Sequence, residues 1–290
     1  MTDRRLLWAN AHVAHTSLQG RVTAPRFTEG TWAQISGGKV PLLDAVDGKR
    51  ERELLFGEPF CVLDRRDGHA FGYTPRDGYT GYIAERCLHD SFRAPTHTIA
   101  APRSYIKGSP DLKAYEPVHD LSFGSFVEVL EEQGAWAGVA VRFPDEPGKL
   151  FTNWAPKCHL NEVGNWQSDP VSVAKLFLGT PYLWGGNSGF GIDCSGLVQA
   201  ALLACNIPCP GDSDQQQAAL GNDVMDHSVR PGDLFFWRGH VAMAVDATTL
   251  IHANAFHMAV AYEPIADAIA RIADQGDGPV TAHKRLELSI

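Results

Sequence analysis

Two stretches of this chain repeat each other, and that repeat limits what its first half can fold into. LLFGEPFCVLDRRDGHAFGY, from Leu54, aligns without gaps on LSFGSFVEVLEEQGAWAGVA, from Leu121. Phe56-Gly57 falls on Phe123-Gly124, and Val62-Leu63 on Val129-Leu130. Each copy runs on to a similar end, YIAERCL finishing at Leu88 and WAPKCHL finishing at Leu160. Apolar and polar residues alternate over short runs broken by Gly or Asp-Gly, the pattern of half-buried antiparallel strands. A unit of about 60–70 residues built this way is a small open barrel. Thr31–Leu43 also reads as strand, turn, strand, so the first barrel is expected over residues 22–96 and the second over 97–162. Residues 1–21 are expected to form an N-terminal segment with one short helix.

The pattern changes at Asp169-Pro170, a helix start with Asp as N-cap and Pro in the first turn. Val171–Leu178 carries helical apolar spacing, and Gly179 can close it in a left-handed cap. A glycine-rich loop, PYLWGGNSGFG, leads to Asp193-Cys194-Ser195-Gly196, which opens a second helix ending before Pro208. Beyond a polar stretch, Pro231–Trp237, His240–Asp246 and Thr249–Ala255 read as three consecutive strands. Two β modules followed by helices and a meander give an α+β third domain, residues 163–290.

The whole chain has 290 residues, with 25 Lys+Arg against 34 Asp+Glu and a net charge of −9. Such a balance leaves no basic surface for a phosphate backbone, so no nucleic-acid partner is expected. No apolar run approaches the ~20 residues of a membrane span. Arg4-Arg5 and Leu6-Leu7-Trp8-Ala9 begin like a secretory signal, but Asn10, His12 and His15 interrupt it, and a cytoplasmic location is expected. The six cysteines are then mostly free buried thiols, and Cys205 and Cys209 lack the partners of a metal site. No metal or cofactor is expected.

Cys194 is the residue with chemistry. A helix N-terminus favours thiolate and offers N–H groups to an oxyanion. A nucleophile there needs a base, and the base needs an orienting group. His240 and His252, twelve residues apart on successive strands, share a sheet face only if the turn between them is odd. Alone, each residue has a bland reading: Cys194 as a small buried hydrophobe, the histidines as core or surface residues. His227, His257 and His283 are read as structural, and Trp184 and Trp237 as packing residues, with a cleft-wall role the alternative for Trp184.

The motifs change the balance. PYLWGG, IDCSGLV, PGDLFFW, GHVAMAV and LIHANA, in order over residues 169–285, resemble the NlpC-type cysteine peptidases that cut bacterial cell-wall peptides. The resemblance implies a papain-like domain behind two SH3-like barrels. It implies Cys194 as nucleophile, His240 as base, His252 as orienter and Tyr182 as a shaper of the oxyanion site, with a thiolate–imidazolium pair. Tandem SH3-like modules look like the dipeptidyl-peptidase subgroup that recycles murein peptides, in which the first module restricts the site to substrates with a free N-terminal L-Ala. Cleavage then follows L-Ala-γ-D-Glu, before meso-diaminopimelate or L-Lys. The matching binding residues are Asp193, Ser195, Asp212, Ser213 and Tyr79, with Glu58 a further acidic candidate. Gly211 stands where the subgroup often has arginine. The alternatives are a secreted wall-remodelling endopeptidase with wall-binding β modules, a non-catalytic peptide binder, and an amidase or acyltransferase on the same scaffold.

Overall fold

A computed structural model describes residues 3–116, 118–142, 146, 148–226 and 228–287. His227 lies outside the described residues. The chain divides into two compact units, one ending at Asn165 and one beginning at Trp166.

The N-terminal unit is nearly all sheet. Seven antiparallel strands run in the order Arg50–Leu55, Lys39–Leu43, Thr80–Ala84, His69–Tyr73, Pro59–Arg66, Thr31–Ile35 and Leu88–His89. They enclose Ile35, Leu42, Leu54, Phe60, Tyr79 and Ile83. A five-stranded sheet and a three-stranded one follow, with Ile99, Ile106, Leu121, Val139 and Ala155 in a separate core.

The sequence repeat reappears as a hydrogen-bond repeat. Gly57 N–H donates to Ile35 O (2.8 Å) as Gly124 N–H donates to Ile99 O (2.9 Å), and Ile35 and Ile99 donate back to Glu58 O and Ser125 O. Both glycines hold positive φ, +79° and +84°, a conformation that costs glycine nothing. Even the turn caps correspond: Leu55 N–H donates to Glu58 Oε1 and Ser122 N–H to Ser125 Oγ, each at 3.2 Å.

The expected single helix near the N-terminus is replaced by two 3-10 turns, Arg4–Leu6 and Thr16–Leu18. The cause is local and tertiary together. Asn10 Oδ1 accepts from His12 N–H and Val13 N–H, an Asx turn that competes with helix. Trp8 meanwhile donates to Gly78 O and stacks on Tyr73, 4.0 Å between centroids.

Among the described residues the C-terminal unit holds four helices: α1 (Pro170–Lys175), α2 (Cys194–Ala204), α3 (Ser213–Ala219) and α4 (Ile265–Asp274). Asp169 caps α1 through Val171 N–H and Ser172 N–H. The sheet has six strands rather than three, in the order Asn222–Asp223, Ala282–Arg285, Leu234–Trp237, His240–Ala244, Thr249–Asn254, Ala259–Pro264. The added strands include two that pair across long sequence separations, which no local pattern reveals. Among the described residues no helix is long and apolar enough to cross a membrane.

Candidate active site

Cys194 is the first residue of α2 and is buried. Asp193 is the N-cap: its Oδ1 accepts from Gly196 N–H at 2.7 Å and from Ser195 Oγ at 3.2 Å, and its Oδ2 accepts from Gly185 N–H at 2.9 Å. The glycine-rich loop is thereby tied to the helix start. Gly186 and Gly196 meet there so closely that a Cβ on Gly196 would lie 2.5 Å from Gly186 O.

Strand register settles the question left open by the spacing of the histidines. Met243 pairs with Ile251 and Ala244 with Leu250, so the turn is odd and His252 stands opposite Ala242. Alternation then puts His240, Ala242, Ala244, Leu250 and His252 on one face. The next pairing sets Leu250 against Glu263 and His252 against Ala261, which adds Glu263 to that face. Across it lies α4, whose Ala268 and Ile272 pack with Ala242, Ala244 and Leu250.

The side chains join in a line. His240 Nε2 is 2.9 Å from His252 Nδ1, and His252 Nε2 is 2.9 Å from Glu263 Oε2. Arg271 grips the same carboxylate with two bonds, Nε to Oε1 at 2.8 Å and Nη2 to Oε2 at 2.7 Å. A two-residue turn ending in Gly239 (φ +78°) precedes His240, and Cys194 Sγ lies 3.9 Å from Gly239 O. The helix start and the His240 strand therefore meet.

Electrostatics follow from burial. His240 is pushed down to about 3, first by burial and then by His252 and Arg271. Burial also takes His252 down to about 4, against the pull of Glu263. Glu263 itself sits below the ordinary carboxylate range: burial opposes this, but Arg271 and His252 outweigh it. Burial, followed by the negative charge of Cys194 and Asp193, pushes the half-buried Tyr182 phenol upward, so its hydroxyl stays a donor.

Asp212 and Ser213 begin α3, where the Asp212 carboxylate makes no capping bond to the helix. Their loop is held by two buried amides. Gln216 Nε2 donates to Ser195 O and Pro210 O, both at 2.9 Å, and Gln199 Nε2 donates to Cys209 O at 2.9 Å. Gly211 is buried beside them. Tyr79 and Glu58 belong to the N-terminal unit. Tyr79 is a core residue with 2% exposure. Glu58 Oε1 is taken by Arg76 Nη1 (2.9 Å) and Leu55 N–H, while its Oε2 is buried without a hydrogen-bond partner.

Sequence reasoning passed over Glu263, Arg271, Gln199 and Gln216. It also assigned Trp184 to packing first and to a cleft wall as the alternative; Trp184 is 70% exposed on the glycine-rich loop. Trp237 is fully packed, and His283 is in a structural pair with Asp233 at 3.0 Å. All six cysteines are free thiols, Cys158 exposed and Cys87 and Cys205 half-buried. Among the described residues, ligand atoms of His252, His257 and Glu263 lie within 4.8 Å of one another. A cation there would have to displace Arg271 from Glu263.

The chain is similar to known proteins in both sequence and fold. The model of the NlpC/P60 family matches residues 179–271, and that of the bacterial dipeptidyl-peptidase SH3 domain matches residues 42–88. The chain is 35% identical over 241 residues to a γ-D-glutamyl-L-lysine dipeptidyl-peptidase of Bacillus cereus, covering 75% of this chain and 71% of that one. It is 34% identical over 216 residues to dipeptidyl-peptidase 6 of Lysinibacillus sphaericus, covering 70% and 79%. A solved NlpC/P60 family protein from Bacillus cereus shares the fold, with a TM-score of 0.70 at 21% identity over 88% of this chain and 99% of that one.

Proposed function

This chain belongs to the NlpC/P60 family and is a cysteine peptidase, and we propose that it cuts murein-derived peptides with a free N-terminal L-Ala, between γ-D-Glu and the L-diamino acid that follows. In this reading the C-terminal unit is papain-like, and the N-terminal unit is a pair of SH3-like barrels. The observation that carries the reading is the hydrogen-bonded His240–His252 pair at the end of a strand whose turn meets Cys194. The names of the two relatives, both dipeptidyl-peptidases, support release of an N-terminal dipeptide.

His240 bonds His252 through Nε2, so Nδ1 is the nitrogen for the thiol. Burial disfavours a charged His240, so the neutral ring is the base, and the thiolate–imidazolium pair forms as the thiol proton transfers. The Cys194 proton moves to His240 Nδ1 as Sγ bonds the γ-carbonyl carbon of D-Glu. The oxyanion is met by N–H at the start of α2 and by the Tyr182 hydroxyl. His240 then protonates the leaving amine of meso-diaminopimelate or L-Lys, the C–N bond breaks, and water, activated by His240, releases L-Ala-D-Glu. Asp193 and Ser195 shape the helix start. Asp212 and Ser213 are the candidates in the C-terminal unit for the substrate's amino end, and Tyr79 and Glu58 of the N-terminal unit are carried as further binding candidates. A cytoplasmic site of action, recycling wall fragments, belongs to the same proposal.

The test is digestion of L-Ala-γ-D-Glu-meso-diaminopimelate and its N-acetylated twin, followed by mass spectrometry. Release of L-Ala-D-Glu from the free peptide alone is expected. Equal cleavage of both would overturn the N-terminal requirement and point to a wall-remodelling endopeptidase.

A further inference from the structure

We propose that Glu263, held by Arg271, is a positioning residue that fixes the tautomers of both histidines, so that the His240 nitrogen offered to Cys194 is a base and not a donor. The inference rests on the reading of Cys194 and His240 as nucleophile and base.

The argument is one of donors and acceptors. An ionised carboxylate only accepts hydrogen bonds, and Glu263 is kept ionised by two bonds from Arg271. The His252 nitrogen facing it, Nε2, must therefore carry hydrogen. A neutral imidazole has one N–H, which leaves His252 Nδ1 as an acceptor. Its partner 2.9 Å away, His240 Nε2, must then be the donor. Neutral His240 has spent its only hydrogen, and Nδ1 holds a lone pair. If the proton from Cys194 arrives at Nδ1, every bond in the line keeps its direction, and Glu263 offsets the new charge through His252.

Each link is positioned by the fold. His240, His252 and Glu263 share a sheet face through the registers of three consecutive strands, and α4 places Arg271 over the third. The other titratable groups around the line are His257, which faces His252, and Cys194, Asp193 and Tyr182 at the thiol end. Replacing Glu263 by glutamine sets its amide either against Arg271, donor to donor, or against His252, where it would donate and reverse both tautomers. In the second case His240 Nδ1 carries hydrogen and cannot take the thiol proton.

Two measurements test this. In the wild-type protein, nitrogen-15 NMR of the histidine rings should show His240 and His252 both as Nε2–H tautomers. An Nδ1–H form at either ring would overturn the proposal, and this readout needs no variant to fold. In parallel, the rate of Cys194 alkylation by iodoacetamide is followed against pH. Glu263→Gln should slow alkylation at neutral pH by about 10–100-fold and move the thiol's apparent pKa upward, with kcat falling and KM nearly unchanged. Glu263→Asp, which keeps an acceptor-only group, should recover part of the rate. A folded Glu263→Gln protein with the wild-type alkylation profile would overturn the proposal. Full peptidase activity in Cys194→Ala would instead remove the underlying reading while leaving the tautomers as stated.

Discussion

The Asp193 carboxylate accepts a hydrogen bond from Gly185 N–H at 2.9 Å while its other oxygen caps α2 at Gly196 N–H. One side chain thus fixes both the glycine-rich loop and the helix end that carries Cys194. Asp193→Ala removes an N-cap, worth roughly 1 kcal/mol, and leaves a buried Gly185 N–H unpaired, at a further ~1–3 kcal/mol. Urea unfolding should show a loss of about 2–4 kcal/mol, with kcat falling more than tenfold. Asp193→Asn, which keeps one acceptor oxygen, should lose less on both counts.

Gln216 bridges α3 to the first turn of α2. Replacing it with leucine removes one hydrogen bond from each of two carbonyls, Ser195 O and Pro210 O, and the expected cost is about 2 kcal/mol. Because Asp212 and Ser213 ride on the same loop, KM for the free tripeptide should rise several-fold with kcat changed less. Steady-state kinetics separates the two.

Backbone proximity at the site forbids even a methyl group. A Cβ on Gly186 would lie 2.5 Å from Gly191 O, a backbone atom that cannot swing aside. Gly186→Ala should therefore lower the thermal midpoint clearly, while Gly179→Ala, with open space around its Cβ, strains only its positive φ. Side-by-side melting curves give the contrast.

Acid should unfold the C-terminal unit through its buried histidines. His240 and His252 titrate near 3 and 4 in the fold, below the ordinary value of 6.5. Between those values the unfolded chain binds more protons than the folded one, so stability falls as pH falls. It is fully present above about 6.5 and is lost progressively toward the depressed values. Urea midpoints measured from pH 7.5 to 4 should drop, and His240→Ala should flatten the drop.

Legibility in the sequence tracked how local each signal was. Asp193 next to Cys194 announces a capped helix, and the repeat around Phe56-Gly57 and Phe123-Gly124 announces a duplicated β unit; neither needs a distant partner. The parity of the His240–His252 turn could be posed as a condition but not answered, because register depends on where Thr249 bonds back. Glu263 and Arg271 were invisible for a stronger reason. Their contact with His252 needs a third strand in register and a helix crossing above it, and AYEPIADAIAR carries no mark of either. Short α3 was missed because its anchor is the buried amide of Gln216, not an apolar stripe, and the Ala282–Arg285 strand because it pairs with residues about fifty positions earlier.

The most direct test of the account is release of L-Ala-D-Glu from L-Ala-γ-D-Glu-meso-diaminopimelate by wild type and by Cys194→Ala, both shown folded by circular dichroism. Wild type should release the dipeptide and Cys194→Ala should release none above background. Dipeptide release by the folded alanine variant at a rate near wild type would contradict the assignment of Cys194 as the nucleophile.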